Sequence, residues 1–209
     1  MRKNSTRTIR TYSEDEGLVK ARRNHIARCA VSVFSKNGYE HTTLREVCKI
    51  CNMAPGTLYH YVGGKKDVLY LVLKYIMEQA TDFVTTISAE TKSMDAVNGL
   101  RLAIRKYCEH IASHQEDILF LYRDTINLEP QFRKSIYQLE EKNTQTFRAI
   151  ISKGIRTGKF RVEDDVILAH NILVTGQMWA FRRWSLREHY TLEQYVTTQT
   201  DSILRAISI

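Results

Sequence analysis

The 209-residue sequence predicts an all-α protein, a three-helix N-terminal domain carrying a helix-turn-helix and then a larger helical bundle. Three observations carry the prediction. Apolar residues recur at three- and four-residue spacing along most of the chain, which holds only two prolines. Between Thr43 and Val62 the residues spell two short helices around a tight turn. Positive charge is concentrated in residues 1–67, with 13 Lys or Arg against 6 Asp or Glu, whereas residues 68–209 hold 18 against 17. A basic segment suits phosphate, because neutralising phosphates releases counterions. A merely soluble basic surface would have the same composition, so it is the motif within the segment that gives the charge a meaning.

Residues 1–20 are polar and lack apolar periodicity, which reads as a mobile basic arm carrying Arg2, Lys3, Arg7 and Arg10. Such an arm either reaches a neighbouring minor groove or remains an untethered tail. The helix-turn-helix domain is expected over 21–67. Ile26, Ala30, Val33 and Phe34 mark one face of its first helix from Ala21 to Lys36, and Asn37-Gly38 stops it. Thr43 and Glu46 then form a capping box ahead of a helix bearing Leu44, Val47 and Cys48. Asn52 suits the left-handed turn, and Pro55 suits the first turn of the next helix. Phe34, Leu44, Val47, Leu58 and Tyr61 are the expected small core. Pro55, Gly56, Thr57, Tyr59 and His60 occupy the start and outer face of the second motif helix, where groove-reading residues sit. The hydroxyl and imidazole groups can reach a phosphate or base edge, and Gly56 permits close approach. Lys65, at the following helix start, adds a cation beside a helix amino terminus.

The runs Thr-x-Arg-Glu-Val, Asn-Met-Ala-Pro-Gly-Thr-Leu-Tyr-His-Tyr and Gly-Gly-Lys-Lys-Asp-Val-Leu together resemble the DNA-binding domain of TetR-family repressors from about Arg22 to Leu69. Ala54, Val62 and Gly64 depart from the family's usual cap, aromatic and small polar residues. The resemblance implies that Thr43, Tyr59, His60 and Lys65 touch the DNA backbone. It also implies a C₂ homodimer whose two readers meet the half-sites of a palindromic double-stranded operator.

Residues 68–209 continue as helices, and the resemblance makes them a ligand-binding and dimerisation domain. Val68, Leu71, Val72, Tyr75, Ile76 and Phe83 line a long connecting helix. Ser93-Met94-Asp95 introduces the next, with Leu100, Ile104, Tyr107 and Ile111. A short helix over Ile118–Ile126 precedes one that Pro130 opens and Gly154 and Gly158 close. Asp164 and Asp165 favour the start of a helix running through Trp179 to Arg183, and Thr191 begins the last. The final two are apolar enough to pack against a second subunit, as their counterparts do in the resembled family.

Tyr75, Tyr107, Phe120, Tyr122, Phe147 and Trp179 are candidates to line an apolar effector cavity, with an aromatic-rich core as the plainer reading of each. A finer resemblance runs through Asp124, Leu128-x-Pro130-x-Phe132, Glu140, Gly154-x-x-x-Gly158-x-Phe160 and Trp179-x-x-x-Arg183-Trp184. It points to the branch controlling lipid and steroid breakdown, whose members respond to acyl-CoA thioesters. There Trp179 would meet the thioester end, and Arg183 a phosphate or carbonyl. Some relatives carry a further arginine where this chain has Thr175. The alternative is a repressor of a transporter or detoxification gene that answers aromatic or cationic compounds.

No nucleophile elbow, phosphate loop or metal-ligand cluster is evident, and glycine occurs only nine times, so no enzymatic activity, cofactor or metal is expected. The four cysteines read as thiols, with Cys48 and Cys51 on the packed face of their helix rather than at a metal site. His110 and His114, four apart on a helix, lack a third ligand and read as a surface pair. No apolar run approaches a membrane span and no secretory leader follows Met1, so a cytoplasmic protein without a membrane partner is expected.

Overall fold

The computed structural model describes Ile9, Thr11 and residues 15–209, and the basic residues of the expected arm lie outside the described residues. Among those described there are ten α-helices and no strand. They are α1 Glu16–His41, α2 Leu44–Ile50, α3 Pro55–Tyr59, α4 Lys65–Thr91, α5 Ala96–Ser113, α6 Gln115–Asp124, α7 Pro130–Arg156, α8 Asp165–Phe181, α9 Arg183–His189 and α10 Leu192–Ile207. A 3₁₀ turn, Thr125–Asn127, follows α6.

The bounds of several helices differ from the sequence expectations. The first helix begins at Glu16 rather than Ala21, because Asp15 caps it by accepting the Leu18 N–H at 2.9 Å. The short helix before Pro130 runs from Gln115 to Asp124, not Ile118 to Ile126. The helix expected to continue through Arg183 breaks at Arg182 (φ −112°, ψ 22°), where α9 begins.

Two compact units divide the chain: Met1–Gln79 with Leu119–Gln138, and Ala80–Ile118 with Leu139–Ile209. Segment 119–138, which the sequence groups with the second domain, packs with the first unit. There Phe120 meets Phe34 edge-on at 5.9 Å, and both rings are fully buried with Ile26, Val47, Leu58, Val62, Val68 and Val72. Burial of this kind stabilises by about 1.5–3 kcal/mol per large apolar side chain. Leu44, expected in this core, is only half-buried. Gly38 sits inside α1 at φ 77°, ψ 169° and breaks its regular ladder; Thr42 Oγ1 donates back to the Gly38 carbonyl at 2.8 Å.

In the second unit α5 packs on α8 and α10. Asp95 caps α5 by accepting the Val97 and Asn98 N–H groups, and Asp164 caps α8 through Val166 and Ile167. Two glycines make room for aromatic rings. A Cβ at Gly176 would stand 2.6 Å from the Tyr107 ring, and one at Gly154 would overlap the Phe160 ring. α7 ends at Arg156, and Gly158 (φ 66°) turns the chain out of it. The expectation that both final helices keep a spare apolar face holds for α8. Ile167 and Val174 remain exposed there after the core has formed, whereas α10 turns Thr197, Thr198, Ser202 and Arg205 outward. His110 is half-buried rather than on the surface. Its ring stacks on Phe83 at 4.2 Å and approaches His114 at 4.3 Å.

Gly154→Ala should lower stability by about 1–3 kcal/mol, the usual range for overpacking, despite the better helix propensity of alanine. Chemical denaturation read by circular dichroism checks this. A second expectation concerns pH. Burial, and secondarily the neighbouring His114, push His110 down to about 4. Between about pH 6.5 and 4 the unfolded chain binds a proton there that the folded chain refuses, so this residue's contribution falls as pH drops through that window. The Tm of His110→Phe should therefore decline less steeply from pH 7 to 4.5 than that of the parent.

Candidate nucleic-acid interface

The reading surface is built from two helices too short to persist alone, so local backbone chemistry and burial have to place it. Thr43 and Glu46 form a complete capping box. The Thr43 N–H donates to Glu46 Oε2 at 2.7 Å, and the Glu46 N–H donates to Thr43 Oγ1 at 3.3 Å. The backbone hydrogen bond from Thr43, and then its hydroxyl, hold the Glu46 carboxyl below the usual carboxylate range. The turn between the helices closes through Cys51 N–H to Val47 C=O and Met53 N–H to Cys48 C=O, both 2.9 Å, with Asn52 at φ 50°. Asparagine tolerates that left-handed conformation better than other non-glycine residues.

Ala54 precedes α3 without a side-chain hydrogen bond, and Pro55 occupies its first turn. Leu58 is fully buried and fixes the roll of the helix. Pro55, Gly56, Thr57, Tyr59 and His60 consequently all face solvent. A Cβ at Gly56 would meet nothing within 4 Å, so the free fold itself does not require glycine there. Lys65, half-buried at the start of α4, donates to the Glu40 carbonyl at 3.0 Å and lies over the Tyr39 ring at 4.4 Å. The same helix start is tied back by the Gly63 N–H, which donates to buried Asp67 at 2.7 Å. The seven sequence-chosen residues thus fall in one compact unit, six exposed and Lys65 partly covered.

Sequence reasoning passed over Arg23. Its Nε donates to the Tyr61 carbonyl at 3.0 Å and its Nη2 to the Ile9 carbonyl at 2.9 Å, bracing the segment that leaves α3. Nothing local distinguishes it from the neighbouring arginines, because both acceptors are distant in sequence.

The effector candidates divide. Tyr75, Phe120 and Tyr122 lie in the first unit, where Phe120 is core, Tyr75 is half-buried and Tyr122 is exposed. Tyr107, Phe147, Trp179 and Arg183 lie in the second. Phe147 meets Tyr107 edge-on at 5.5 Å, and the Tyr107 hydroxyl accepts from Gln177 at 3.2 Å. Trp179 packs on Tyr195 at 5.4 Å with the Arg187 guanidinium 5.7 Å from its ring, and Arg183 pairs with Glu116. Thr175 accepts the Tyr195 hydroxyl on its carbonyl at 2.6 Å. Among the described residues no helix is long and apolar enough to cross a membrane.

An outward-facing second motif helix on a buried, capped scaffold defines a helix-turn-helix DNA-binding protein. Residues 26–70 match the model described as bacterial regulatory proteins, tetR family, and residues 93–206 match that of the tetracyclin repressor-like C-terminal domain. The chain belongs to the TetR family of transcriptional regulators. The regulator HbdR of Aromatoleum sp. (strain CIB) is 27% identical over 197 residues, which cover 92% of this chain and 83% of the relative. The transcriptional repressor KstR2 of Mycobacterium tuberculosis (strain ATCC 25618 / H37Rv) is 23% identical over 172 residues, 80% of this chain and 83% of that one. The fold is also that of AibR, whose crystal structure holds isovaleryl coenzyme A and operator DNA. That match has a TM-score of 0.69 at 20% identity and covers 86% of this chain and 96% of AibR.

Proposed function

We propose that the protein is a homodimeric repressor that holds a palindromic operator through Thr43, Pro55, Gly56, Thr57, Tyr59, His60 and Lys65 and leaves it when an acyl-CoA thioester binds. The observation that carries the DNA reading is Gly56, exposed on α3 with open space where a Cβ would stand. A glycine that the free fold does not require, flanked by exposed groups that can hydrogen-bond phosphate or base edges, suits close approach of a duplex. Dimerisation is supported by α8, which keeps Ile167 and Val174 exposed beyond the face it buries. A symmetric dimer would present two readers one helical turn of DNA apart.

The effector reading draws on the relatives. The AibR structure contains isovaleryl coenzyme A, and KstR2 of Mycobacterium tuberculosis is a ketosteroid transcriptional regulator. In this chain Trp179 and Arg183 supply an indole and a guanidinium four residues apart in sequence, with Tyr107 and Phe147 packed in the same unit. The ligand acts by preferring the arrangement that does not fit DNA, since equal affinity for both arrangements would shift nothing. It is bound and released intact, without turnover.

Gly56→Ala should leave Tm unchanged or slightly raised, since alanine is favoured over glycine by up to about 1 kcal/mol within a helix. Affinity for a duplex selected by the parent protein should nevertheless fall at least about tenfold, a loss of about 1.4 kcal/mol. Undiminished affinity measured by fluorescence anisotropy would remove Gly56 from the interface. For the effector, thermal shift with acyl-CoA thioesters of graded chain and ring size is the direct measurement. At 100 times its Kd a ligand of the folded state stabilises by about 2.7 kcal/mol. The shift should appear with one thioester class, be absent with CoA alone, and accompany release of the duplex. Thioesters that neither shift Tm nor release DNA would overturn the acyl-CoA assignment and leave the repressor reading standing.

A further inference from the structure

The first unit holds a cleft of about 680 Å³. It is bounded by α1, the first half of α4 and the first turns of α7, all within residues 1–79 and 119–138. A site of about 300–1,000 Å³ suits a drug-sized organic ligand. Buried Val19, Ala27, Leu71 and Phe132 give the cleft an apolar floor. Tyr70 stacks on Phe132 at 4.2 Å, and Ser135 Oγ donates to the Tyr70 hydroxyl at 3.0 Å, so the fold itself braces an aromatic wall. Tyr75, an effector candidate from the sequence, lines the same cleft.

The charged residues around the cleft leave it a cationic edge. Lys74 and Glu78 pair with each other at 3.5 Å. Glu16 occupies the first turn of α1, where the helix amino terminus favours a carboxylate. Lys20 and Arg23 stand three residues apart on α1 and so share one face of it. Among the described residues Lys20 makes no ion pair. Arg23 directs Nε to the Tyr61 carbonyl at 3.0 Å and Nη2 to the Ile9 carbonyl at 2.9 Å, both neutral acceptors. Burial lowers the Arg23 pKa, and the charge of Asp67 offsets part of that.

We propose that this cleft is a second effector site, separate from the aromatic cluster of the second unit, and that it takes an amphipathic monocarboxylate. The apolar body lies on the floor, and the carboxylate meets Lys20 and Arg23. A cation of the same size would meet those two side chains as like charges. A hydrogen bond from a guanidinium to a carboxylate is about twice as strong as one to a neutral acceptor. The ligand therefore competes with the Tyr61 and Ile9 carbonyls for the Arg23 fork. Tyr61 follows His60, the C-cap of α3, so drawing Arg23 away loosens the segment that leaves the reading helix. The consequence for DNA rests on the operator-binding reading above, whereas binding of the carboxylate does not.

The test titrates the full-length protein by calorimetry with decanoate, with deoxycholate and with the uncharged amide of each, all below their micelle concentrations. One acid or both should bind at least about tenfold tighter than the matching amide. Decanoate alone would define a chain-shaped ligand, and deoxycholate alone a fused-ring one. Lys20→Glu reverses an exposed charge, and Asn24→Trp fills the exposed rim of the cleft. Each should weaken binding at least about tenfold while circular dichroism matches the parent, since neither side chain is buried. Acids that fail to bind, or bind no tighter than their amides, would overturn the proposal, as would binding that survives both substitutions. The saturating acid should also lower affinity for a duplex selected in vitro by the free protein at least about tenfold. Unchanged DNA affinity would overturn the regulatory part. Failure to select any duplex would instead count against the DNA reading, and the titration would still decide the cleft.

Discussion

The reading surface depends on a few buried side chains that fix the roll of very short helices. α2 has seven residues and α3 has five, too few to hold helical structure in water by propensity alone. Val47 in α2, Leu58 in α3 and Val62 just beyond it are fully buried in the unit that contains Phe34 and Phe120. With Leu58 turned inward, its neighbours on the other sides of α3 have to face out. The capping box at Thr43, the left-handed Asn52 and the Arg23 brace on Tyr61 settle the backbone at the places where burial cannot.

The second unit follows a different logic. Its helices are long enough to be amphipathic, and specificity comes from rings seated where a neighbouring helix has no side chain. Tyr107 occupies the space at Gly176, and Phe160 the space at Gly154. α5 separates its apolar and polar sides, but α8 is apolar around much of its circumference and keeps Ile167 and Val174 exposed. Such a helix has more apolar surface than one core consumes.

Short-range signals were legible in the sequence because their causes are short-range. Thr43 with Glu46, Asp95, Asp164 and Thr191 each satisfy N–H groups two or three residues away, and each marks a helix start in the structure. Asn52 and Pro55 carry their conformational preferences in their own covalent structure. The break at Arg182 was invisible, having neither glycine nor proline to announce it. Asp15 was hidden in a polar stretch with no apolar period beside it. The assignment of 119–138 to the first unit, the two glycine seats and the bracing role of Arg23 all depend on partners remote in sequence. The aromatic effector candidates show the same limit. Composition names Phe120 and Phe147 equally, and only the fold assigns each to its own core.

Gly38 divides α1 into a long body and a final turn, Tyr39 to His41, separated by a backbone step that does not continue the ladder. That turn is held by separate ties: Thr42 to the Gly38 carbonyl, Lys65 to the Glu40 carbonyl, and the Tyr39 ring against Phe34. A segment with its own few restraints can open without unzipping the rest of the helix. Its amides would then exchange with solvent deuterium as a small cooperative group of low protection, beside a slowly exchanging stretch around Ile26 to Phe34. The kink is a thermodynamic boundary as well as a geometric one.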